Sequence, residues 1–412
     1  MMEERKVPAL RFQGFTDEWE ENMLGEMTVF SKGSGYSKSD LQDHGTPIVL
    51  YGRLYTNYEI LISHIDTFVE PKQGAVYSQG VEVIVPASGE TAEDISRASV
   101  IGRKGVIIGG DLNILYPNKL LDPVFLAITI SNGKAHEDMA KRAQGKTVVH
   151  LHNDDLAQIK LFYPSISEQK QIGVFFQKID VDILLLKNKL DKLQVFKKSM
   201  LEKMFPRPGE KVPEVRFRGF MGGWEKRRFG ELVDIERGGS PRPIDEYITD
   251  DYDGLNWVKI GDAPSQGRYI MHTGEKIKAS GLSKTRQVFP GDLILSNSMS
   301  FGKPYIMGIS GCIHDGWLLI RNSRNLFNLK FLCQMLGTEH MLSQYKSLAA
   351  GSTVNNLNKE LVSNVIVNVP PLEEQVRIGA FLENIDDIIS CCQRKLEKLQ
   401  SMKQAMLSEM FI

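Results

Sequence analysis

The stretch PSISEQKQIGVFFQKIDVDILLLKNKLDKLQVFKKSMLEKMF, residues 164–205, returns as PPLEEQVRIGAFLENIDDIISCCQRKLEKLQSMKQAMLSEMF, residues 370–411. Aligned without a gap, the copies agree at 19 of 42 positions, where chance gives about two or three, so the chain carries an internal duplication. In the first copy apolar residues recur at Ile172, Phe176, Ile179, Ile183, Leu186, Leu190, Leu193, Met200 and Met204. Steps of four and three in alternation make the seam of a coiled coil. The second copy keeps that register through Ile378, Leu382, Ile385, Ile389, Cys392, Leu396, Leu399, Met406 and Met410, and each copy sets a lysine, Lys197 or Lys403, in the one polar seam slot. Each helix would run about 58 Å at 1.5 Å per residue. The first is rich in lysine and the second in glutamate and aspartate, so pairing within the chain would be charge-complementary.

The duplication extends beyond the helices. VPALRFQGFTDEWEENMLGEM at residues 7–27 recurs as VPEVRFRGFMGGWEKRRFGEL at residues 212–232. The sequence therefore divides into a lead-in segment (1–27), a first variable domain (28–163), a central helix (164–206), a second lead-in segment (207–232), a second variable domain (233–369) and a C-terminal helix (370–412). Pro206 and Pro208 stop the central helix.

The two variable domains diverge, yet short runs match: TPIVLYGRLY (46–55) with LNWVKIGDAP (255–264), VEVIVPASGE (81–90) with DLILSNSMSF (292–301), and GVIIGGDLNIL (105–115) with CIHDGWLLI (312–320). β-Branched and aliphatic runs between clusters of Gly, Pro, Ser and Asn predict mostly-β domains. One helix is expected over 118–144 and its counterpart over 328–350. Each domain closes on a similar turn, QGKTVVHL (144–151) or AGSTVNNL (350–357). The fold class is α+β, two repeated, mostly-β domains separated by two long helices that either pair as a coiled coil or pack separately, each on its own domain.

Composition limits the function. The chain has 412 residues and a formal net charge of −1, so charge alone does not make it a nucleic-acid binder. No apolar run reaches membrane-spanning length, and MMEERKVPAL is not a secretory leader, so a cytoplasmic protein is expected. Four cysteines without paired spacing fit neither a disulfide framework nor a zinc site, and Cys312 and Cys333 read as small core residues. AKRAQGKT at 140–147 lacks the first glycine of a phosphate-binding loop, and its counterpart AAGST at 349–353 has no lysine. His150 and His152 find no recurring carboxylates and read as solvated or partly buried. Asp180 and Asp386 share one slot in the repeat and read as helix-surface groups bonding a neighbouring domain. No catalytic site or metal site emerges.

Two variable β-rich domains, each followed by a helix opening P-x-[IL]-x-E-Q-x-x-I-G and preceded by VP-x-x-RF-x-GF-x-x-x-W, resemble the specificity subunit (S subunit, HsdS) of type I restriction-modification systems. SEQKQIG and EEQVRIG, the GKTVVHL and GSTVNNL turns, the PASGETAEDI loop at 86–95 and IGGDLNIL carry the resemblance jointly, and it covers essentially the whole chain. It implies a non-catalytic DNA reader whose two target recognition domains each bind half of a split, asymmetric double-stranded target, with the two long helices forming an antiparallel coiled coil as spacer. It also implies partners: two modification (methyltransferase) subunits carrying S-adenosylmethionine, and restriction (translocase-nuclease) subunits using ATP and magnesium. No cofactor and no membrane are expected for this chain. The alternative is a protein-interaction scaffold with two binding modules on a coiled coil, favoured by the acidic first domain.

For base contact the loops offer Tyr51, Arg53, Tyr55, Asn57, Ser88, Glu90, Thr91, Lys146 and Thr147 in the first domain. The second offers Lys259, Asp262, Asn297, Ser298, Lys303, Ser352, Thr353 and Asn355. Arginine or lysine on guanine and asparagine on adenine are the bidentate pairings open to such side chains.

Overall fold

The computed structural model describes residues 6–412 apart from Gln144, Lys146, Thr147, Gln266, 298–300 and 350–356. It divides into two compact units, Met1–Lys187 with Lys395–Ile412, and Asn188–Arg394. Each unit therefore holds one variable domain, part of the helix Ile166–Lys203 and part of the helix Leu372–Met410.

In the first unit a five-stranded sheet runs in the order Thr28–Lys32, Leu112–Pro117, Val83–Pro86, Ser99–Ile101, Leu61–Ile62. A second runs Leu41–Gln42, Phe68–Val69, Thr46–Val49, Lys104–Ile108, Tyr77–Gln79. Side chains alternate across a strand, and the sequence uses both faces. Ile84 and Ile114 join Val49, Ile62, Val106 and Ile108 in one core, while their neighbours Val83, Val85 and Leu115 face Phe125, Ile172 and Phe176 in another. A sheet covered on both sides needs unbroken apolar runs, which explains VIVP at 83–86 and ILY at 114–116.

The second unit repeats the plan. One sheet runs Asp234–Arg237, Trp317–Arg321, Leu293–Ser296, Pro304–Met307, Tyr269–Ile270, and the other Ile248–Thr249, Glu275–Ile277, Leu255–Val258, Gly311–Ile313, Arg286–Val288. The mix of parallel and antiparallel pairs also recurs: Val49 lies parallel beside Ile108, as Val258 does beside Ile313. In each half the strand from the lead-in segment pairs with the strand entering the long helix, Glu20–Met23 with Lys160–Tyr163 and Glu225–Arg228 with Ile366–Val369.

The helix signature is explained by the bonds it makes. Glu168, 1% exposed, accepts from Arg11 Nε and Nη2 at 2.6 and 2.7 Å, and Glu374, fully buried, accepts from Arg216 at 2.7 and 2.8 Å. The carboxylate's hydrogen bonds hold each guanidinium pKa above its ordinary value. The next residue, Gln169, donates to the carbonyls of Leu120 and Pro164 and accepts from the amide of Asp122. Gln375 does the same with Leu326, Pro370 and Asn328. Gly379 lies where a Cβ would stand 2.7 Å from the amide nitrogen of Phe331, so the helix meets its domain without room for a side chain. E, Q and G in the signature thus dock the helix start on the domain.

Each unit is completed by the far end of the other half's helix. In the first unit Phe411 packs against Trp19, Phe125 and Phe176 with ring centroids 5.8 to 6.3 Å apart, and Leu10 donates to the carbonyl of Glu409. In the second, Phe205 stacks on Phe331 at 5.5 Å and meets Trp224 at 5.9 Å, and Val215 donates to the carbonyl of Lys203. Pairing Phe176 with Phe411 and Asp180 with Lys403 makes the helix segments of the first unit antiparallel. All nine apolar seam positions of the first copy are buried or half-buried, as are those of the second.

Four expectations need correction. The helix expected over 118–144 is two, Pro123–Ile130 and Gly133–Arg142, because Asn132 is extended at φ −147°. Its counterpart is likewise two, Leu329–Leu336 and Glu339–Ala349, parted at Gly337. The run 105–115 is two strands in different sheets. Finally, Asp180 and Asp386 chiefly bond helix to helix: Lys403 pairs with Asp180 in the first unit and Lys197 with Asp386 in the second. Asp386 also meets its domain, accepting from Gln334 Nε2 at 2.7 Å. The seam lysines answer these aspartates, and the Lys403–Asp180 pair runs against the overall charge sense of the two helices. Cys312 and Cys333 lie in the core, where burial pushes both thiols up to about 11.

Candidate nucleic-acid interface

In the first domain the turn of helix Arg53–Thr56 brings Tyr51 and Tyr55 edge to face at 6.0 Å. Tyr55 Oη donates to the carbonyl of Ser88 at 2.8 Å, and burial raises its pKa. Arg97 lies over the rings of Tyr55 and Tyr58 at 5.4 and 5.8 Å, and donates to Asp94 and to the carbonyl of Leu54. Ser88 pairs across two short strands with His150, whose ring is stacked 6.5 Å from that of His152. Both histidines are exposed, and among the described residues no three His, Cys, Asp or Glu side chains gather as a metal site would require.

Tyr51, Tyr55 and Ser88 thus come together, with Glu90 exposed beside them. Arg53 does not join them: its side chain is 11% exposed and bound to Glu59 at 2.8 Å, Asp66 at 3.0 Å and the carbonyl of His64 at 2.8 Å. Thr91 caps the helix Ala92–Ile95 by accepting from the Asp94 amide. Asn57 is exposed at the end of its helical turn. Lys146 and Thr147 lie outside the described residues, as do Ser298, Ser352, Thr353 and Asn355.

In the second domain a cleft of about 560 Å³ opens beside Trp257, which lies 1% exposed. The loop after strand Asp234–Arg237 forms one wall. Gly238 donates to the carbonyl of Trp317 and Gly239 to that of Ile313, and Ser240 Oγ donates to Asp315 Oδ1 at 2.9 Å. A Cβ at Gly238 would collide with the carbonyl of His314, so this approach requires glycine. Arg242 stands on that wall, 73% exposed, with its nearest carboxylate oxygen, on Asp315, 3.8 Å away. His314 Nδ1 accepts from the Gly316 amide at 2.9 Å, which leaves Nε2 facing Asp315 Oδ1 at 3.0 Å. Lys259 also lines the cleft and is ion-paired to Glu275.

Of the second-domain candidates, Lys259 reaches the cleft and Lys303 is exposed elsewhere on the domain. Asp262 closes a turn by accepting from the amides of Lys259 and Gly274. Asn297, 3% exposed, donates to the carbonyl of Asp315 at 2.8 Å. Sequence reasoning missed Arg97, Ser240, Arg242 and His314. For the start of the loop, up to Ser240, a signal existed: KGSG at 32–35 and RGGS at 237–240 stand after matching strands, so this glycine turn is part of the repeat.

The sequence profile of the type I restriction modification DNA specificity domain matches this chain twice, over residues 16–195 and 221–401. The chain belongs to that family. It is 23% identical over 321 residues to the type I restriction enzyme MjaVIII specificity subunit of Methanocaldococcus jannaschii, covering 75% of this chain and 74% of that one. It is 23% identical over 312 residues to the putative MjaX specificity subunit of the same organism, covering 73% and 70%. In fold it is similar to the type I restriction-modification S subunit from M. genitalium, with a TM-score of 0.63, 13% identity and 98% and 99% of the two chains covered. A chain solved in a study of complex assembly and conformational transition of the type I R-M system gives 0.54 at 19% identity, covering 95% and 97%. Among the described residues no helix is long and apolar enough to cross a membrane.

Proposed function

We propose that this chain is the DNA-reading subunit of a type I restriction-modification complex, each variable domain reading one half of a bipartite, asymmetric double-stranded target and the helices setting the gap between halves. The observation that carries this reading is the duplicated frame. Arg11–Glu168 and Arg216–Glu374, Gln169 and Gln375, and Phe411 and Phe205 make matching bonds in the two units, while the loops they support differ. A repeated scaffold with two unlike reading surfaces suits a target whose halves differ.

Chemistry then belongs to partners in the cytoplasm: two modification subunits that use S-adenosylmethionine, and restriction subunits that use ATP and magnesium. The central helix supports such assembly. Val174, Val181, Leu184, Leu185 and Val195 are 51 to 70% exposed along it. Their counterparts 206 positions on are Ala380, Asp387, Ser390, Cys391 and Ser401, so the stripe is peculiar to this helix and offers apolar area to a neighbouring subunit.

The test combines the full chain with a modification subunit and S-adenosylmethionine and maps methylated adenines on genomic DNA. Methylation at one split sequence, only when both proteins are present, is the expected result. Methyl transfer by the chain alone, or methylation without sequence preference, overturns the reading.

A further inference from the structure

We propose that the cleft beside Trp257 reads a guanine in the second domain's half-site, with Arg242 as the specificity-determining side chain. This rests on the DNA-reader function and adds to it a residue and a base.

A base-reading side chain must be exposed, uncommitted and held by a rigid support. Asp262 and Asn297 are consumed by backbone amides and carbonyls, Lys259 is ion-paired to Glu275, and Lys303 is exposed but does not line the cleft. Arg242 comes nearest to these conditions: it is 73% exposed, and its ion pair with Asp315 is long at 3.8 Å, beyond hydrogen-bond reach. The loop that carries it is tied by the backbone bonds of Gly238 and Gly239 and by Ser240 on Asp315. Asp315 is itself fixed through its own carbonyl by Asn297 and faces His314 Nε2 at 3.0 Å. A carboxylate so fixed can orient the guanidinium without occupying its fork. The fork then matches the O6 and N7 acceptors of guanine in the major groove.

The first domain shows the same location in another state. After the matching strand Thr28–Lys32 stands Tyr36, whose Oη accepts from the Lys72 amide at 2.7 Å, with the Lys72 ammonium 4.8 Å from its ring and bonded to Asp40. Tyr36 also packs on Ile48, Val69 and Ile107. Where the second domain opens a cleft and exposes an arginine, the first closes over an aromatic ring, so the two halves read by different means at this point.

The test uses the assembled complex, with Arg242→Ala and Arg242→Lys compared against the unaltered chain for methylated sequence and for salt dependence of DNA binding. If the unaltered complex shows no split target, the DNA-reader function fails before Arg242 is at issue. Given a split target, Arg242→Ala should relax one guanine position in one half, with discrimination there falling roughly ten- to a hundredfold, and leave the other half intact. Arg242→Lys keeps the charge and loses the fork, so it should relax the same position. Two results overturn the proposal: an unchanged target in both variants, or a uniform weakening on all sequences with the salt slope reduced by about 0.9, which marks a phosphate anchor. Because Arg242 is exposed, unaltered thermal unfolding of both variants is expected, and that measurement separates a reading defect from a folding one.

Discussion

The first and second units share a frame and differ in their reading surfaces, and the difference tracks how far each side chain reaches along the chain. Frame residues bond across about 160 positions, as Arg11 does to Glu168 and Arg216 to Glu374. Changing one would leave a buried charge unpaired, at a cost of about 3–5 kcal/mol. Loop residues are held less firmly: Tyr36 accepts from the Lys72 amide 36 positions on, and the exposed Arg242 has only a long 3.8 Å ion pair with Asp315, so a change there strands no buried charge. A duplicated chain can therefore keep two copies of one architecture and let each copy face a different ligand.

The largest effect that breaks this comparison is an exchange of domains. Replacing residues 28–163 with the corresponding domain of another family member should change one half of the methylated sequence completely and leave the other half unaltered. A swap that altered both halves would show that the reading surfaces are not independent.

Next comes the helix length. Removing Lys187–Leu193 together with Gln393–Leu399 takes one heptad from each helix and keeps the seam in phase. At 1.5 Å per residue this is about 10 Å, or about three base pairs at 3.4 Å. If the helices set the gap, methylation mapping should show it shortened or methylation lost, since about three base pairs also turn one half-site by roughly a third of a helical turn. The bases of each half should persist wherever methylation does. An unchanged gap at full activity sinks the ruler.

The helix ends give a smaller, structural effect. Phe411→Ala empties the space among Trp19, Phe125 and Phe176, and Phe205→Ala the space beside Trp224 and Phe331. Each should cost about 3–5 kcal/mol in denaturant unfolding. A negligible loss at Phe411 would show that the first unit does not depend on the end of the chain.

How much of this was legible beforehand follows the same division. The seam, the repeat and the matching strand-like runs of the two halves were readable because periodicity and duplication are recorded in the sequence itself. Glu168 and Gln169 were visible as a motif, but not as partners of Arg11 and the Asp122 amide, since nothing local encodes a contact across the chain. Several base-contact candidates are engaged within the fold for a physical reason. Polar residues in loops are also the residues that close turns and cap helices, and Thr91, Asp262 and Asn297 are used that way, while Arg53 is consumed by two carboxylates. Arg242 drew no notice because its loop departs from its counterpart right after the shared glycines.

The finest contrast lies in the two seam ion pairs. Asp386 and Lys197 are 16% and 14% exposed, and Asp386 also accepts from Gln334 and lies 3.9 Å from Arg268. Asp180 and Lys403 are 30% and 19% exposed, and the position matching Gln334 is Ile128. Asp386→Asn strands a lysine whose pKa is already lowered by burial and by Arg268, so it should cost about 3 kcal/mol. Asp180→Asn removes a wetter pair and should cost about 1 kcal/mol. The pH dependence has a definite sign. A lysine with a lowered folded pKa binds its proton more weakly folded than unfolded, so stability rises as pH climbs from that lowered value toward 10.5. The Asp386→Asn deficit should therefore be largest at neutral pH and shrink in mild alkali. Urea unfolding of both variants at two pH values decides it, and equal losses at neutral pH would mean that Gln334 and Arg268 add nothing to the second pair.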